Sequence, residues 1–367
     1  MDQKLMYQIA LTQIPNIGVV QARLLLEKMK VEDIFKAPVS ILEKIEGIGS
    51  IRAKCISKFK DFKRVEEEIQ FIEKYHLKTF FYTDEDYPKR LRRCYDAPVL
   101  LYFKGDVDFN TSKIISIVGS RTCTDYGKEA VKKIIAEFKN DSVLIVSGLA
   151  HGIDTYAHKA ALDHQLSTIA VLAHGLDRIY PSINKNLAKE MVLNGGLLTE
   201  YMSQTTPDRY NFPSRNRIVA GLADAVIVVE TDIKGGSLVT AEIADSYSVD
   251  VYAIPGDISR NTSKGTNFLI KTNRAILLDD IKDLKFNLGW TNTKTQTVEK
   301  DIKKIIEKLG EKEKTIVTLL FESKVLSIDE IIHQSSLNLS EIAATMLSLE
   351  MMHLIEVLPG KQYKLLI

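Results

Sequence analysis

The sequence lacks most features that would assign a function quickly. Its 367 residues hold only three cysteines, at 55, 94 and 123. They are too far apart for a disulfide framework or a paired metal-ligand spacing. No stretch approaches the ~18 uninterrupted apolar residues of a membrane-spanning helix, so no membrane role is expected. The opening Met1-Asp2-Gln3-Lys4-Leu5 carries no apolar leader segment, and the expectation is a cytosolic protein. Charge of one sign is missing too: 49 Lys and Arg face 48 Asp and Glu, a net +1. That excludes nucleic-acid binding by bulk positive charge. A local basic site remains open.

Two nucleotide fingerprints are also absent. No Gly-x-Gly-x-x-Gly stands at a strand–helix turn, which speaks against a dinucleotide cofactor. No Gly-x-x-x-x-Gly-Lys-Ser/Thr is present, which speaks against an ATP-driven motor. His151, His158, His164 and His174 form no convincing ligand set with carboxylates. Neither metal nor cofactor is expected. Asp154 and His158, one helical turn apart, read as a structural pair.

What is present divides the chain. Residues 1–75 carry 13 basic and 11 acidic side chains, 113–286 carry 20 of each, and 301–367 carry 8 and 10. Residues 287–300 are polar and Thr-rich without periodicity, the composition of a linker. The expected domains are 1–75, 76–286 and 301–367, joined by that linker.

In the first segment, Ile14–Leu25 and Ile45–Ile56 repeat a tight turn followed by a helix with an Ala four residues on. The pair is similar to tandem helix–hairpin–helix repeats, a helical, SAM-like domain. Such hairpin amides and helix N-termini can face a phosphate. Asn16 stands where the first hairpin would usually place Gly. A bundle that binds nothing is the competing reading.

The middle segment alternates apolar runs with amphipathic stretches. Ile114–Val118, Val143–Val146, Thr168–Leu172, Leu197–Thr199, Ala225–Val229 and Val251–Ile254 are short, apolar on both faces and rich in β-branched residues. Strands buried on both sides of a parallel sheet read this way. The alternation predicts an α/β fold, an extended Rossmann-like, doubly wound sheet.

Ligands in such sheets sit beyond the carboxyl ends of the strands. Gly119-Ser120-Arg121, Ser147-Gly148 and Gly236-Ser237 fall at three of those ends. Glycine there lets backbone amides approach an anion, and Arg121 adds a planar fork for phosphate. Phe212, Arg215, Asn216 and Arg217 follow between the fourth and fifth strands. Each feature alone has a bland explanation as a turn, a core ring or an ion pair. Their convergence on one sheet edge predicts a phosphate-binding groove with an aromatic face.

These residues carry a resemblance. Ile117–Arg121 with Tyr126-Gly127, Val146–Asp154 with Ala157-His158, Thr168–Asp177 leading to Tyr180-Pro181, Phe212–Leu222, Gly236–Ala241 and Ile254–Asp257 resemble the DprA/Smf (DNA processing A) family over residues ~110–280. The resemblance implies a non-enzymatic protein of natural transformation and homologous recombination. Such a protein binds and protects single-stranded DNA, loads the recombinase RecA onto it, and self-associates as a homodimer through the central domain. The family's groove maps onto Gly119, Ser120, Arg121, Ser147, Gly148, Phe212, Arg215, Asn216 and Arg217. Some members carry Lys after Tyr-Pro; Ser182 stands there, and Lys185 is the substitute. A rival reading comes from Gly235–Glu242, which is similar to the Gly-Gly-x-Gly-Thr-x-x-Glu signature of nucleotide phosphoribohydrolases with the glycine pattern broken.

Residues 311–367 read as three helices and a hairpin, a winged-helix pattern, with Ser327 and Ser340 as expected N-caps. The helix in the recognition position, Ser340–Met352, has no Lys or Arg. A major-groove reader needs such side chains, so a protein contact is expected of this domain.

Overall fold

The computed structural model describes residues 3–290 and 309–365, apart from 324, 336, 353 and 359–361. Two compact units emerge, 1–283 and 284–367. Most of the expected linker lies outside the described residues.

The first unit opens with six helices: α1 (Gln3–Gln13), α2 (Val19–Lys28), α3 (Val31–Lys36), α4 (Val39–Leu42), α5 (Gly49–Lys58) and α6 (Phe62–Tyr75). The two expected hairpins precede α2 and α5. Asn16 takes φ 62°, the left-handed conformation that Gly47 adopts at 81°. Asn tolerates that region better than other side chains, so the first hairpin closes without its glycine. Ala22 and Ala53 are buried, as close helix approach demands. Arg52 donates to the carbonyls of both Asn16 (3.1 Å) and Gly47 (3.0 Å), tying the hairpins together.

These helices are not free of the sheet. Ile9, Leu25, Ile56 and Ile69 share one apolar cluster with Phe81, Leu100, Tyr102 and Met202. A polar rivet adds to it. Buried Glu68 on α6 accepts from the Ser203 amide (3.0 Å), and Arg64 donates to the Ser203 carbonyl (2.5 Å).

The sheet has nine strands: β1 (Lys78–Phe81), β2 (Leu100–Gly105), β3 (Ile114–Val118), β4 (Leu144–Ser147), β5 (Thr168–Val171), β6 (Gly195–Thr199), β7 (Ala225–Val228), β8 (Asp250–Ala253) and β9 (Ile276–Leu277). Their spatial order is β1-β2-β6-β5-β4-β3-β7-β8-β9. From β6 to β9 every pairing is parallel. β1 and β2 extend the β6 edge antiparallel. All six expected strands are present within a residue or two. β3, β4, β5 and β7 are buried at every position, which is why they read as unbroken apolar runs.

The intervening helices are α7 (Lys89–Arg92), α8 (Asp125–Glu137), α9 (Ile153–Asp163), α10 (Lys185–Leu193), α11 (Asn211–Leu222), α12 (Gly236–Ser246), α13 (Asn261–Lys271) and α14 (Ile281–Asn287). The chain leaves β3 to one side through β4, β5 and β6, then returns to the other side at β7. The topological switch point therefore lies between β3 and β7, where a doubly wound sheet opens a crevice.

The second unit holds α15 (Glu311–Ser323), α16 (Ile328–Gln334), α17 (Leu339–Met351) and a three-stranded antiparallel sheet, β10 (Val325–Ser327), β11 (Ile355–Leu358) and β12 (Gln362–Leu365). This is a winged helix. Ser327 caps α16 in a reciprocal box with Glu330, as expected. The cap of α17 is Asn338 rather than Ser340. Its side chain accepts from the Glu341 amide at 2.9 Å, and Glu341 reaches back to the Asn338 amide. That box starts the helix two residues earlier than a Ser340 cap would.

Candidate nucleic-acid interface

A groove of about 740 Å³ occupies the switch point. Gly119, Ser120 and Arg121 line it from the end of β3, Gly148 from the end of β4, and Gly235, Gly236 and Ser237 from the start of α12. Phe212, Arg215 and Asn216 come from α11. The structure thus brings together nine of the twelve expected residues: Gly119, Ser120, Arg121, Gly148, Phe212, Arg215, Asn216, Gly236 and Ser237. Ser147, Arg217 and Lys185 are not in the lining.

The turns after β3 and β4 pack backbone on backbone. A Cβ on Gly152, at φ +75°, would run into the Ser120 and Arg121 carbonyls. A Cβ on Gly119 would press on Ile153 at 2.6 Å. The Ser120 amide donates to the Glu230 carbonyl (2.7 Å), and the Ser120 hydroxyl accepts from the Thr122 amide (3.1 Å). Glu230 in turn holds the start of α8, accepting from the Thr124 amide (2.9 Å) and hydroxyl (2.6 Å). Arg121 therefore leaves a rigid turn and points into solvent. Its guanidinium lies over the Phe212 ring, 5.3 Å from the centroid.

Arg215 has a different place from the one its sequence neighbours suggest. It is 4% exposed and forms the floor of the groove. It donates to the carbonyls of Gly148 (2.6 Å) and Val171 and to the Asn216 side chain (3.1 Å). Asp154, also buried in the lining, accepts from the amides of Gly148 (3.1 Å) and Ala150 (3.3 Å). Burial pushes the Asp154 carboxyl up from its ordinary range, and the Arg215 charge opposes that shift. Arg215 and Asp154 thus hold the 148–150 turn by its carbonyl and amides, and Arg215, expected to offer its guanidinium to the groove, has it bonded to protein.

Arg217 is a second correction. It is two residues from Arg215 on one helix, so the two side chains leave on roughly opposite faces. Arg217 pairs with Glu200 and donates to the Asp96 carbonyl (2.6 Å). Ser147 is fully buried, its hydroxyl donating to the Ile117 carbonyl at 2.6 Å between strands. Lys185 opens α10 on the surface, away from the lining. Asp154 and His158 do not form the expected pair. The His158 ring bonds the Thr168 hydroxyl at 2.7 Å, and burial pushes its pKa down to about 3, with the Arg215 charge acting in the same direction.

The groove also contains residues that sequence reasoning missed. Tyr180 is 50% exposed and stands 6.1 Å from Phe212, centroid to centroid, at 53°. Arg209 lies 4.6 Å from the ring centre of Tyr210. The Tyr-Pro dipeptide, with Tyr180 exposed and Pro181 buried, and the Arg-Tyr dipeptide before Phe212 were the available signals. Ser237 is 8% exposed, and its hydroxyl has no partner among the described residues. Glu242, the acid of the phosphoribohydrolase-like signature, pairs with Arg274 at 3.3 Å and is not in the lining. No cluster of metal-ligating side chains occurs among the described residues, and none of their helices is long and apolar enough to cross a membrane.

Fold and groove define a Rossmann-like protein with a crevice at its switch point lined by glycines and arginines, and with a winged-helix domain. The model of the DNA recombination-mediator protein A family matches residues 78–289, and that of the DprA winged helix domain matches 304–361. Protein Smf of Synechocystis is 31% identical over 98% of both chains. DNA processing protein DprA of Streptococcus pneumoniae is 45% identical over 53% of this chain and 68% of its own. The X-ray structure of the latter superposes with TM-score 0.66 at 34% identity, covering 77% of this chain and 97% of that one. A Helicobacter pylori DprA structure, described for its single-stranded DNA binding mode, gives TM-score 0.53 at 32% identity over 58% and 95%. The chain belongs to the DprA/Smf family.

Proposed function

We propose that this chain binds single-stranded DNA in the switch-point groove and loads RecA onto it during transformation and homologous recombination. The observation that carries the reading is the exposed Arg121 guanidinium lying on the Phe212 face beside the glycine turns. Single strands are held by cations that track phosphates and by aromatic faces that stack bases. A duplex hides its base faces and offers nothing to Phe212 or Tyr180. Binding of single-stranded DNA by the H. pylori relative supports the same reading.

The chemistry of the groove is that of a binder. Among the described residues no nucleophile–base pair faces it, and the one acid of the rival hydrolase signature is engaged elsewhere. The expected modules, 1–75, 76–286 and 301–367, act as bundle, DNA-binding body and protein-contact domain in a protein of the cytoplasm. A homodimer through the central domain is supported by the β9 edge. Ile276 and Leu277 are 46% and 44% exposed there, and Ile258 and Phe268 are also bare. An apolar edge strand is a ready pairing surface.

The test is a salt-dependent titration of single- and double-stranded oligonucleotides, with and without RecA. Preference for single strands, lost in Arg121→Ala with Phe212→Ala, supports the groove. Equal affinity for duplex, or no effect of the double variant, refutes it. Faster RecA assembly on strands carrying the protein is the expected readout for loading.

A further inference from the structure

A second cavity, of about 360 Å³, opens where the helical bundle meets the sheet. Leu11 of α1, Ile17 and Ala22 of the first hairpin unit, Leu100 of β2 and Met202 beyond β6 form apolar walls, and all five are buried. The volume falls at the small end of the ~300–1,000 Å³ range of ligand pockets.

Apolar walls alone would make this a gap between two packed layers. Glu200 makes it more than that, as the single charged residue among those lining the cavity. Its Oε2 is held by Arg217, and its Oε1 is buried with no hydrogen-bond partner among the described residues. A carboxylate paired with a guanidinium is an acceptor only. An unmet buried acceptor is destabilising by about 1–3 kcal/mol, more when it is charged. Burial pushes the Glu200 carboxyl up, and the charge and hydrogen bond of Arg217 oppose that shift. The occupant that suits such a cavity has an apolar body and brings an N–H donor to Glu200.

The cavity adjoins the switch-point groove. Thr205 lines the cavity and Pro207 lines the groove, and two residues span at most about 7 Å. Tyr201 also lines the cavity, and its hydroxyl donates to the carbonyl of Asn211 (3.3 Å), the residue before Phe212. Neighbouring nucleotides of one strand can therefore reach both. Arg217 offsets the Glu200 charge, so phosphates passing the mouth meet little repulsion. Among the pyrimidines, cytosine carries the N4 amino donor that Glu accepts from in base readout, where thymine presents the O4 acceptor.

We propose that the cavity between bundle and sheet is a base pocket for the strand held in the groove, with Glu200 selecting cytosine over thymine. The inference rests on the groove reading above and adds a base preference that stacking alone does not supply.

The experiment titrates the full chain with oligo-dC and oligo-dT of equal length at neutral pH. Oligo-dC should bind about tenfold more tightly, the lower end for one hydrogen bond to a charged group. In Glu200→Gln, Arg217 holds the amide oxygen and the amide N–H groups replace the acceptor, so the ratio should fall to about one or reverse. Val19→Trp, which fills the cavity from the half-buried start of α2, should bring oligo-dC to the affinity of oligo-dT. It decides the matter alone if Glu200→Gln does not fold. Equal affinity in the wild type, or a preference that survives the folded variants, overturns the base pocket. The groove is judged separately: Arg121→Ala with Phe212→Ala should weaken both oligomers alike, and no loss with either refutes the groove rather than the pocket.

Discussion

Replacing Arg215 with Met separates two roles that the sequence alone merges. Arg215 looks like one of a pair of phosphate-binding arginines, yet its guanidinium is enclosed by the Gly148 and Val171 carbonyls and stands near the Asp154 carboxylate. Met keeps much of the volume and removes the charge. Removing the charge that offsets a buried carboxylate leaves that carboxylate in a poor solvent; about 3–5 kcal/mol, the cost of breaking a direct buried pair, is the upper bound. Two carbonyls also lose a charged donor, a contribution in the same direction. A domain of this size shifts in Tm by roughly 2–4 °C per kcal/mol, so the melt should fall by up to about 6–20 °C.

The cost has a pH signature. Without Arg215, protonation of Asp154 relieves the orphaned charge, and burial already favours the neutral acid. Folding then favours proton uptake, so the variant gains stability relative to wild type as pH falls. Two pH units are worth at most about 2.7 kcal/mol per proton. Asp154→Asn in the same background should recover about 1–3 kcal/mol, the coupling expected within one hydrogen-bond network, here joined at Gly148. Urea unfolding at pH 7 and pH 5 measures both. If Arg215→Met costs under about 1 kcal/mol and instead flattens the salt dependence of DNA binding, the guanidinium is a phosphate contact and the argument for a structural floor fails.

Three further outcomes follow from the same geometry. Arg121→Ala should leave the melt unchanged and reduce the slope of log K against log salt by about 0.7, one phosphate contact on a single strand; an unchanged slope refutes the contact. Tyr180→Ala should weaken single-strand binding by about 1–3 kcal/mol, the worth of one stacked base, with the salt slope intact; equal affinity would show that Tyr180 stacks nothing. His158, with its ring pKa held down to about 3 by burial, stays neutral when folded while the unfolded ring titrates near 6.5. The unfolded state thus binds more protons between those values, so stability is full above pH 6.5 and is lost as pH falls. That single group should remove about 2 kcal/mol between pH 7 and pH 5. His158→Gln should flatten that part of the curve, and an unchanged pH profile would exclude His158 as its source.

The strands that define the fold were legible because they are buried on both faces. Ile114–Val118 and Ala225–Val228 have no polar position to break the run except Ser116, whose hydroxyl returns to the Val219 carbonyl at 2.6 Å. β1 and β2 were not legible. Lys-Thr-Phe-Phe is four residues long, and only pairing with β2 makes it a strand. The glycine turns were visible from their position at strand ends. The division of labour between Arg215 and Arg217 was not, because it depends on which face of α11 meets the sheet. Tyr180 sits in an irregular stretch, so no periodicity pointed to it. Its companion Phe212 stood out only because a helix of arginines followed it.

Near-neutral charge also takes on a physical meaning once the arginines are placed. Arg64, Arg90, Arg215 and Arg217 all serve carbonyls or acids inside the first unit. Among the described residues, the groove lining shows solvent two exposed arginines, Arg121 and Arg209. If the strand lies in the groove as proposed, it meets about two cations per chain, which predicts a slope of about −1.4 for log K against log salt on single strands. Raising salt from 50 to 200 mM should then weaken binding about sevenfold, against the roughly 10³-fold or more of a protein with six to ten phosphate contacts. The remaining affinity must come from stacking on Phe212 and Tyr180, which salt does not screen. A fluorescence anisotropy titration across that range decides it. A slope steeper than about −4 would mean that cations outside the groove hold the strand, and the switch-point groove would then be only a part of the binding surface.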